Sequence, residues 1–191
     1  MNFTTNPGDK GRTNTLAQKN ISKGSDIIEC QGQIDELSAQ IANLRLKILQ
    51  SKKKNSLISN TPDFLLWLLK INFIIGTEVS NISDVGSLKK LTKEHLETLT
   101  KESLTLEKSF DLPKSFILTA TTLLSSECNL VRTKTRSVER TFTRLKDRNE
   151  DFKLENILIY LNDLGTYFFL LSRKLEDSEF FTINTIELKT L

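Results

Sequence analysis

Three short segments of the chain carry residue types that could do chemistry. The first is Pro7-Gly8-Asp9-Lys10-Gly11-Arg12-Thr13. Its glycines let backbone N–H groups approach an anion, and its cations offset the anion's charge. The spacing is not that of a Walker A loop, because the closing Gly-Lys-Ser/Thr is missing. On residue types alone, the segment reads as an anion-binding loop or as a flexible tail. The second segment is Arg132, Arg136 and Glu139, followed by Arg140. Spacings of four and three put the first three on one helix face, beside Val131 and Val138. Two guanidiniums fixed at a core boundary could grip a polyphosphate through bidentate contacts. An intrahelical Arg–Glu network on a solvated face would use the same residues. The third segment is Asp35-Glu36, set between Ile34 and Leu37. Asp35 there suits an ion pair with an arginine of another helix or subunit, or a plain surface carboxylate.

Positioning these groups falls to helices. Apolar residues recur at intervals of three and four from Ile27 through Ile34, Leu37, Ile41, Leu44 and Ile48. This first helix is expected to end in the 51–55 region, with Lys52, Lys53 and Lys54 at its C-terminus. A second helix is predicted over 61–80, with Thr61 as N-cap and Pro62 at the first helical position. A linker at 81–87 leads to a third helix over 88–108, with Leu88, Leu91, Leu99 and Leu106 as its core residues. His95 on that helix reads as a surface residue among Lys and Glu. After a break at Pro113, a fourth helix is expected over 116–147 and a fifth over 151–176. Leu124, Cys128, Val131, Val138, Phe142 and Leu145 share the inner face of the fourth. Ile157, Leu161, Leu164, Phe168, Leu171 and Leu175 share that of the fifth. Residues 1–25 read as a loop and 177–191 as a tail, with a short strand allowed near 180–186. The expected fold is a single all-α domain over 1–191, a five-helix up-and-down bundle.

Composition narrows the functions open to such a bundle. With 191 residues the chain suits one domain, and a net charge of +3 argues against a nucleic-acid binder. Two Cys and one His cannot build a Cys/His zinc site, which needs about four ligands. Two cysteines also make no disulfide framework, so a reducing interior is the default. The most apolar stretch, 64–75, is interrupted by Lys70 and Asn72 and falls short of the ~20 residues of a membrane span. It reads as a buried core helix, and no membrane partner is expected.

Taken in order, the three segments resemble the PduO-type family of ATP:cob(I)alamin adenosyltransferases. That family opens with a Thr-Lys/Arg-Thr-Gly-Asp-x-Gly-x-Thr loop, and Thr5 to Thr13 align with it here. A Ser-Lys step follows as Ser22-Lys23. A Val-Glu-x-x-Gly-x-x-Asp-Glu-Leu segment follows as Ile28 to Leu37. Phe116-Ile117-Leu118 matches the start of a Phe-x-Leu-Pro-Gly-Gly-Ser segment, and Arg132, Arg136, Glu139 and Arg140 follow at the family spacing. Tyr160-Leu161-Asn162-Asp163-Leu164 matches a Tyr-Leu-Asn-x-Leu segment of the last helix.

The resemblance implies a homotrimer of five-helix bundles with ATP between neighbouring subunits. Thr5, Gly8, Asp9, Lys10, Gly11, Thr13 and Lys23 would wrap the triphosphate, helped by magnesium, with no protein ligand to the metal identified. Arg132 and Arg136 would reach ATP from the adjacent subunit, with Glu139 beside them and Asn162 helping to fix it. Asp35 would pair with Arg132 across the interface, and Phe116 would pack against the corrinoid and displace its lower ligand. The implied reaction transfers the 5′-deoxyadenosyl group of ATP to cob(I)alamin and releases triphosphate. An adenosylcobalamin-dependent client enzyme would take the product.

The chain departs from the family pattern at several points. Asn6 replaces a basic residue, for which Arg12 or Lys10 could compensate. Thr119-Ala120-Thr121-Thr122 replaces Pro-Gly-Gly-Ser, a change expected to extend the fourth helix. Thr166 replaces an Asp, and Ile27 an Arg. Two other readings therefore accompany the active enzyme. One is an ATP- or corrinoid-binding homologue acting as carrier or regulator, and the other is a helical interaction scaffold. The loop motif begins close to Met1, so a bacterial cytoplasm is expected, although a trimmed organellar-matrix protein would read the same.

Overall fold

The computed structural model describes residues 8–51, 59–83, 86–118, 121–176 and 181–183. Among them are five α-helices: α1 Asp26–Gln50, α2 Thr61–Ser80, α3 Lys93–Glu107, α4 Leu123–Arg148 and α5 Glu155–Lys174. Four short strands accompany them: β1 Arg12–Thr13, β2 Ile21–Ser22, β3 Phe116–Leu118 and β4 Phe181–Ile183. β1 pairs antiparallel with β2, and β3 antiparallel with β4. The helices pack side by side in the order α2, α1, α4, α5, α3. No helix among the described residues is long and apolar enough to cross a membrane.

The expected apolar stripes form the core. Ile34, Leu37, Ile41 and Leu44 of α1, Val138 and Phe142 of α4, and Leu161, Leu164 and Phe168 of α5 are all buried. α1 and α4 run antiparallel, as their ends show, whereas α3 runs parallel to α5, with Asn156 donating to Leu91 O at one end and Lys174 to Ser109 O at the other. Arg148 at the end of α4 grips Asp26 at the start of α1, Nη1 to Oδ1 2.8 Å. Lys134 of α4 pairs with Glu36 in the middle of α1, and Lys47 near its end with Glu127. The bundle closes through α2. Its Phe64 ring lies 5.0 Å from Tyr167 of α5, and Tyr160 of α5 donates to Asn72 Oδ1 over 3.2 Å. Asn72 is itself buried and donates to Ser38 Oγ of α1 over 3.1 Å, so its amide is satisfied at both ends.

Helix ends differ from the sequence reading in four places. α1 ends at Gln50, and Lys52–Lys54 lie outside the described residues. Asn60, not Thr61, precedes α2. α3 begins at Lys93, because the Thr92 side chain and His95 cap it reciprocally, with the Thr92 N–H donating to His95 Nδ1 over 3.0 Å. Leu88 is therefore outside the helix and exposed, and His95 serves as a cap. The fourth difference is the largest. α4 does not extend back to Phe116. Thr122 caps it, accepting from Ser125 N over 3.1 Å, while Ser125 Oγ accepts in return from Thr122 N. Phe116–Leu118 is freed from the helix and forms β3, paired with β4 in the tail. Phe73 of α2, within the stretch read as buried, is 77% exposed, so that helix is amphipathic.

Cys30 and Cys128 are both free thiols inside the bundle. Burial, with Asp26 and Glu29 nearby, pushes the Cys30 thiol up to about 12. Burial likewise raises Cys128, whose Sγ donates to Phe168 O over 3.3 Å. A buried thiol without thiolate character is inert. Neither cysteine should take up iodoacetamide at pH 8 in the folded protein, and both should do so in guanidinium. Mass spectrometry reads the outcome, and rapid native alkylation would contradict the packing.

Candidate functional site

The glycine-rich segment folds as a small hairpin docked on the bundle. The Gly11 N–H donates to Gly8 O over 3.2 Å, and Gly11 adopts φ +67°, where a side chain would be strained. The Lys23 N–H then donates to Gly11 O over 2.9 Å, bringing the Ser22-Lys23 step back beside the loop. A methyl group on Gly8 would stand 2.7 Å from Lys23 Nζ. The ammonium therefore lies directly over the Gly8 backbone. Asp9 and Lys10 are exposed in the Gly8–Gly11 turn that leads into β1, and Thr13 is half-buried opposite Ile21. Arg12 is exposed, and its guanidinium donates to Asn20 O over 2.6 Å. Thr5 and Asn6 lie outside the described residues. The Ala17 N–H donates to Ser80 O over 3.1 Å and the Leu16 N–H to Ser80 Oγ over 3.0 Å, tying the hairpin to the end of α2. Below it, α1 and α2 enclose a groove of about 370 Å³ lined by Asp35, Ser38, Asn72 and Gly76.

A Gly8→Ala change tests the Lys23 contact. Lys23 is a flexible side chain and can move aside, so the fold should persist. A displaced ammonium loses one charge-assisted contact, and ATP affinity should fall about tenfold. Calorimetric titration with magnesium-ATP measures it, and unchanged affinity would remove Lys23 from the site.

Arg132 and Arg136 occupy the other flank. Both sit on α4, where Arg132 is half-buried and its Nε donates to Asn129 Oδ1 over 2.7 Å. The Arg136 stem lies along α5, such that a methyl on Gly165 would just touch its Cγ, at 3.8 Å. Among the described residues neither arginine forms an ion pair with an acidic side chain, and no Arg–Glu pair joins them to Glu139. Glu139 is half-buried one turn on. Burial, reinforced by the like charge of Arg136, lowers the Arg132 pKa from its ordinary value. Two neighbouring cations without a carboxylate between them make a place that favours an anion. Asn162 is exposed on α5, one turn before Gly165 and Thr166, on the flank that Arg136 follows.

One chain does not bring all these groups together. No hydrogen bond among the described residues joins the hairpin to Arg132 or Arg136. Asp35 faces the α1–α2 groove, whereas Glu36, one residue on, turns to Lys134 of α4. Asp35 and Arg132 thus lie on different flanks and do not pair within the chain. Phe116 stands apart again. It is 63% exposed on β3, on the same strand face as Leu118 and its partner Phe181, which are also exposed. Among the described residues, no cluster of three His, Cys, Asp or Glu could hold a metal by itself.

Sequence reasoning missed Asn129, which aims Arg132, and the buried charges at the end of α5. The second had a signal: Arg173 and Glu176 closely follow the apolar run Phe168–Leu171 and bracket Leu175 of the inner stripe.

A five-helix bundle entered through a glycine-bearing N-terminal hairpin defines the class: an all-α bundle protein with a docked loop. The chain belongs to the cobalamin adenosyltransferase family, whose model matches residues 3–175. No curated protein sequence matches it significantly. Among solved structures it is similar to the PduO-type ATP:corrinoid adenosyltransferase of Lactobacillus reuteri. The phenylalanine-to-histidine variant of that protein, complexed with cobalamin and ATP, superposes with a TM-score of 0.83 at 23% identity, covering 96% of this chain and 97% of that one. A phenylalanine-to-alanine variant gives 0.80 at 24% identity, over 96% and 98% of the two chains. An arginine-to-lysine variant complexed with ATP gives 0.79 at 23% identity, over 94% and 99%. At these identities the likeness establishes the fold.

Proposed function

We propose that this chain is an ATP:corrinoid adenosyltransferase, which transfers the 5′-deoxyadenosyl group of ATP to cob(I)alamin. Beside the family membership, the observation that carries the reading is the Arg132–Arg136 pair, which no acidic side chain among the described residues neutralises. In the reaction, the cobalt(I) lone pair forms the Co–C bond at C5′ as the C5′–O bond breaks. Both bonding electrons leave with triphosphate. No side-chain nucleophile or general base is needed, in keeping with a lone histidine engaged as a helix cap.

The protein's part is positioning and charge stabilisation. The hairpin, with Gly8, Asp9, Lys10, Gly11, Thr13 and Lys23, wraps the triphosphate, and Thr5 precedes it. Arg132 and Arg136 stabilise the charge that develops on the leaving group, and Asn162 fixes the nucleotide beside them. Magnesium would come with the triphosphate of ATP, its remaining ligands being water or at most one or two carboxylates. Phe116 walls the lower face of the corrinoid, excluding its ligand and water.

Because hairpin and arginines lie on different flanks, the site is completed by a second copy, with Asp35 of one chain pairing with Arg132 of the next. A homotrimer closes this arrangement. An adenosylcobalamin-dependent enzyme receives the product, and the free thiols suit a reducing cytoplasm.

The deciding experiment is an anaerobic assay with chemically reduced cobalamin and magnesium-ATP, followed by visible spectroscopy. Protein-dependent appearance of adenosylcobalamin is expected. ATP binding without conversion would leave a carrier or regulator, and no binding of either ligand would leave a scaffold.

A further inference from the structure

The segment that carries Phe116 is tied at both ends to Lys174–Glu176, where α5 ends and turns. On one side, Lys174 Nζ donates to Ser109 O over 3.2 Å and lies 5.7 Å from the centre of the Phe110 ring. On the other, Glu176 Oε1 accepts the Thr121 N–H over 3.1 Å, and Thr122 Oγ1 donates to Leu175 O over 3.1 Å. Glu176 is aimed by Arg173, whose Nη1 lies 2.8 Å from Oε2, and both side chains are fully buried. The Arg173 guanidinium also lies 5.7 Å from the centre of the Phe169 ring. A fully buried ion pair contributes little to stability over well-packed apolar residues, because desolvation offsets the attraction. Its contribution has to be sought in what it holds, and here that is the backbone just before α4, at the far end of the β3 segment.

We infer that the end of α5, with the turn after it, is an anchor for the β3 segment, with Glu176 as a positioning residue that sets Phe116 for the corrinoid step and Arg173 as the cation that aims it. This rests on the adenosyltransferase reading. Loss of the anchor should let β3 drift. Corrinoid handling should then suffer while the triphosphate hairpin, on the opposite flank, is untouched.

Two double variants separate anchoring from folding. Arg173→Met with Glu176→Leu removes the charges and the acceptor for Thr121 while keeping the volume apolar. Arg173→Met with Glu176→Gln removes the charges but keeps an acceptor oxygen. In the leucine variant, amide exchange at Phe116–Leu118 should quicken about tenfold, and the KM for cobalamin should rise about tenfold. The spectroscopic signature of cob(II)alamin lacking its lower ligand should weaken, with the Kd for magnesium-ATP unchanged. The glutamine variant, which keeps an acceptor without the cation that aims it, should restore all three readouts in part. Wild-type exchange in the leucine variant overturns the anchor, and faster exchange with unchanged corrinoid behaviour overturns its role in positioning. If the wild-type chain itself shows no corrinoid signature, the adenosyltransferase reading falls instead. Exchange in the two variants then still decides whether the anchor exists.

Discussion

Arg136→Ala should lower the rate of adenosylcobalamin formation about a hundredfold or more while leaving the thermal midpoint nearly unchanged. The first half follows from where charge goes. Triphosphate leaves with the bonding pair, and a fixed donor aimed at developing charge is worth about 10²–10³ in rate when removed. The second half follows from the surroundings of Arg136. It is exposed and has no acidic partner among the described residues, so truncation orphans no buried charge. Relief of its repulsion on Arg132 acts in the stabilising direction. Arg136→Lys keeps the charge and loses the planar fork, and should fall between. Turnover, ATP titration and thermal unfolding on the same samples check this. Wild-type turnover by the alanine variant would take Arg136 out of the site.

Phe116→Ala should separate the two substrates. The ring is mostly solvent-exposed, so its loss costs the free protein little. Against a corrinoid the same ring would be covered. Burying a phenylalanine is worth about 1.5–3 kcal/mol, which corresponds to about a ten- to hundredfold loss in the corrinoid step. The Kd for ATP should stay at its wild-type value. Phe116→Trp keeps an apolar wall and should retain part of the activity. Stopped-flow spectra of reduced cobalamin with saturating ATP measure the step directly. An unchanged rate would show that the corrinoid lies elsewhere.

The bundle was legible because burial imposes its period on each helix. The stripe from Ile27 to Ile48, and those of α4 and α5, form the observed core. Boundaries were less legible, since caps compete with periodicity. Phe116, Ile117 and Leu118 look like helical apolar residues until Thr122 and Ser125 close a capping box behind them. Leu88 failed for the same reason, cut off by the cap at Thr92. The hairpin and the arginines stood out because glycines and guanidiniums are unusual at those positions. The contact of Lys23 over Gly8 did not, because it depends on a turn set by Gly11 and on pairing with β2. Arg12 illustrates the limit of reading by residue type: its hydrogen bond to Asn20 O, across the hairpin, has no mark in the sequence.

The separation of the hairpin and the arginine pair onto different flanks has a genetic counterpart. In the proposed head-to-tail ring, each catalytic interface would take its loop from one chain and its guanidiniums from the next. A Lys23→Met chain damages only the loop it contributes, and an Arg136→Ala chain only the arginines. Two inactive proteins, unfolded together and reassembled at equal amounts, would therefore place intact halves opposite each other at about a quarter of the interfaces by random mixing. Such a mixture would recover activity that neither parent has, and two dead alleles expressed in one cell would complement.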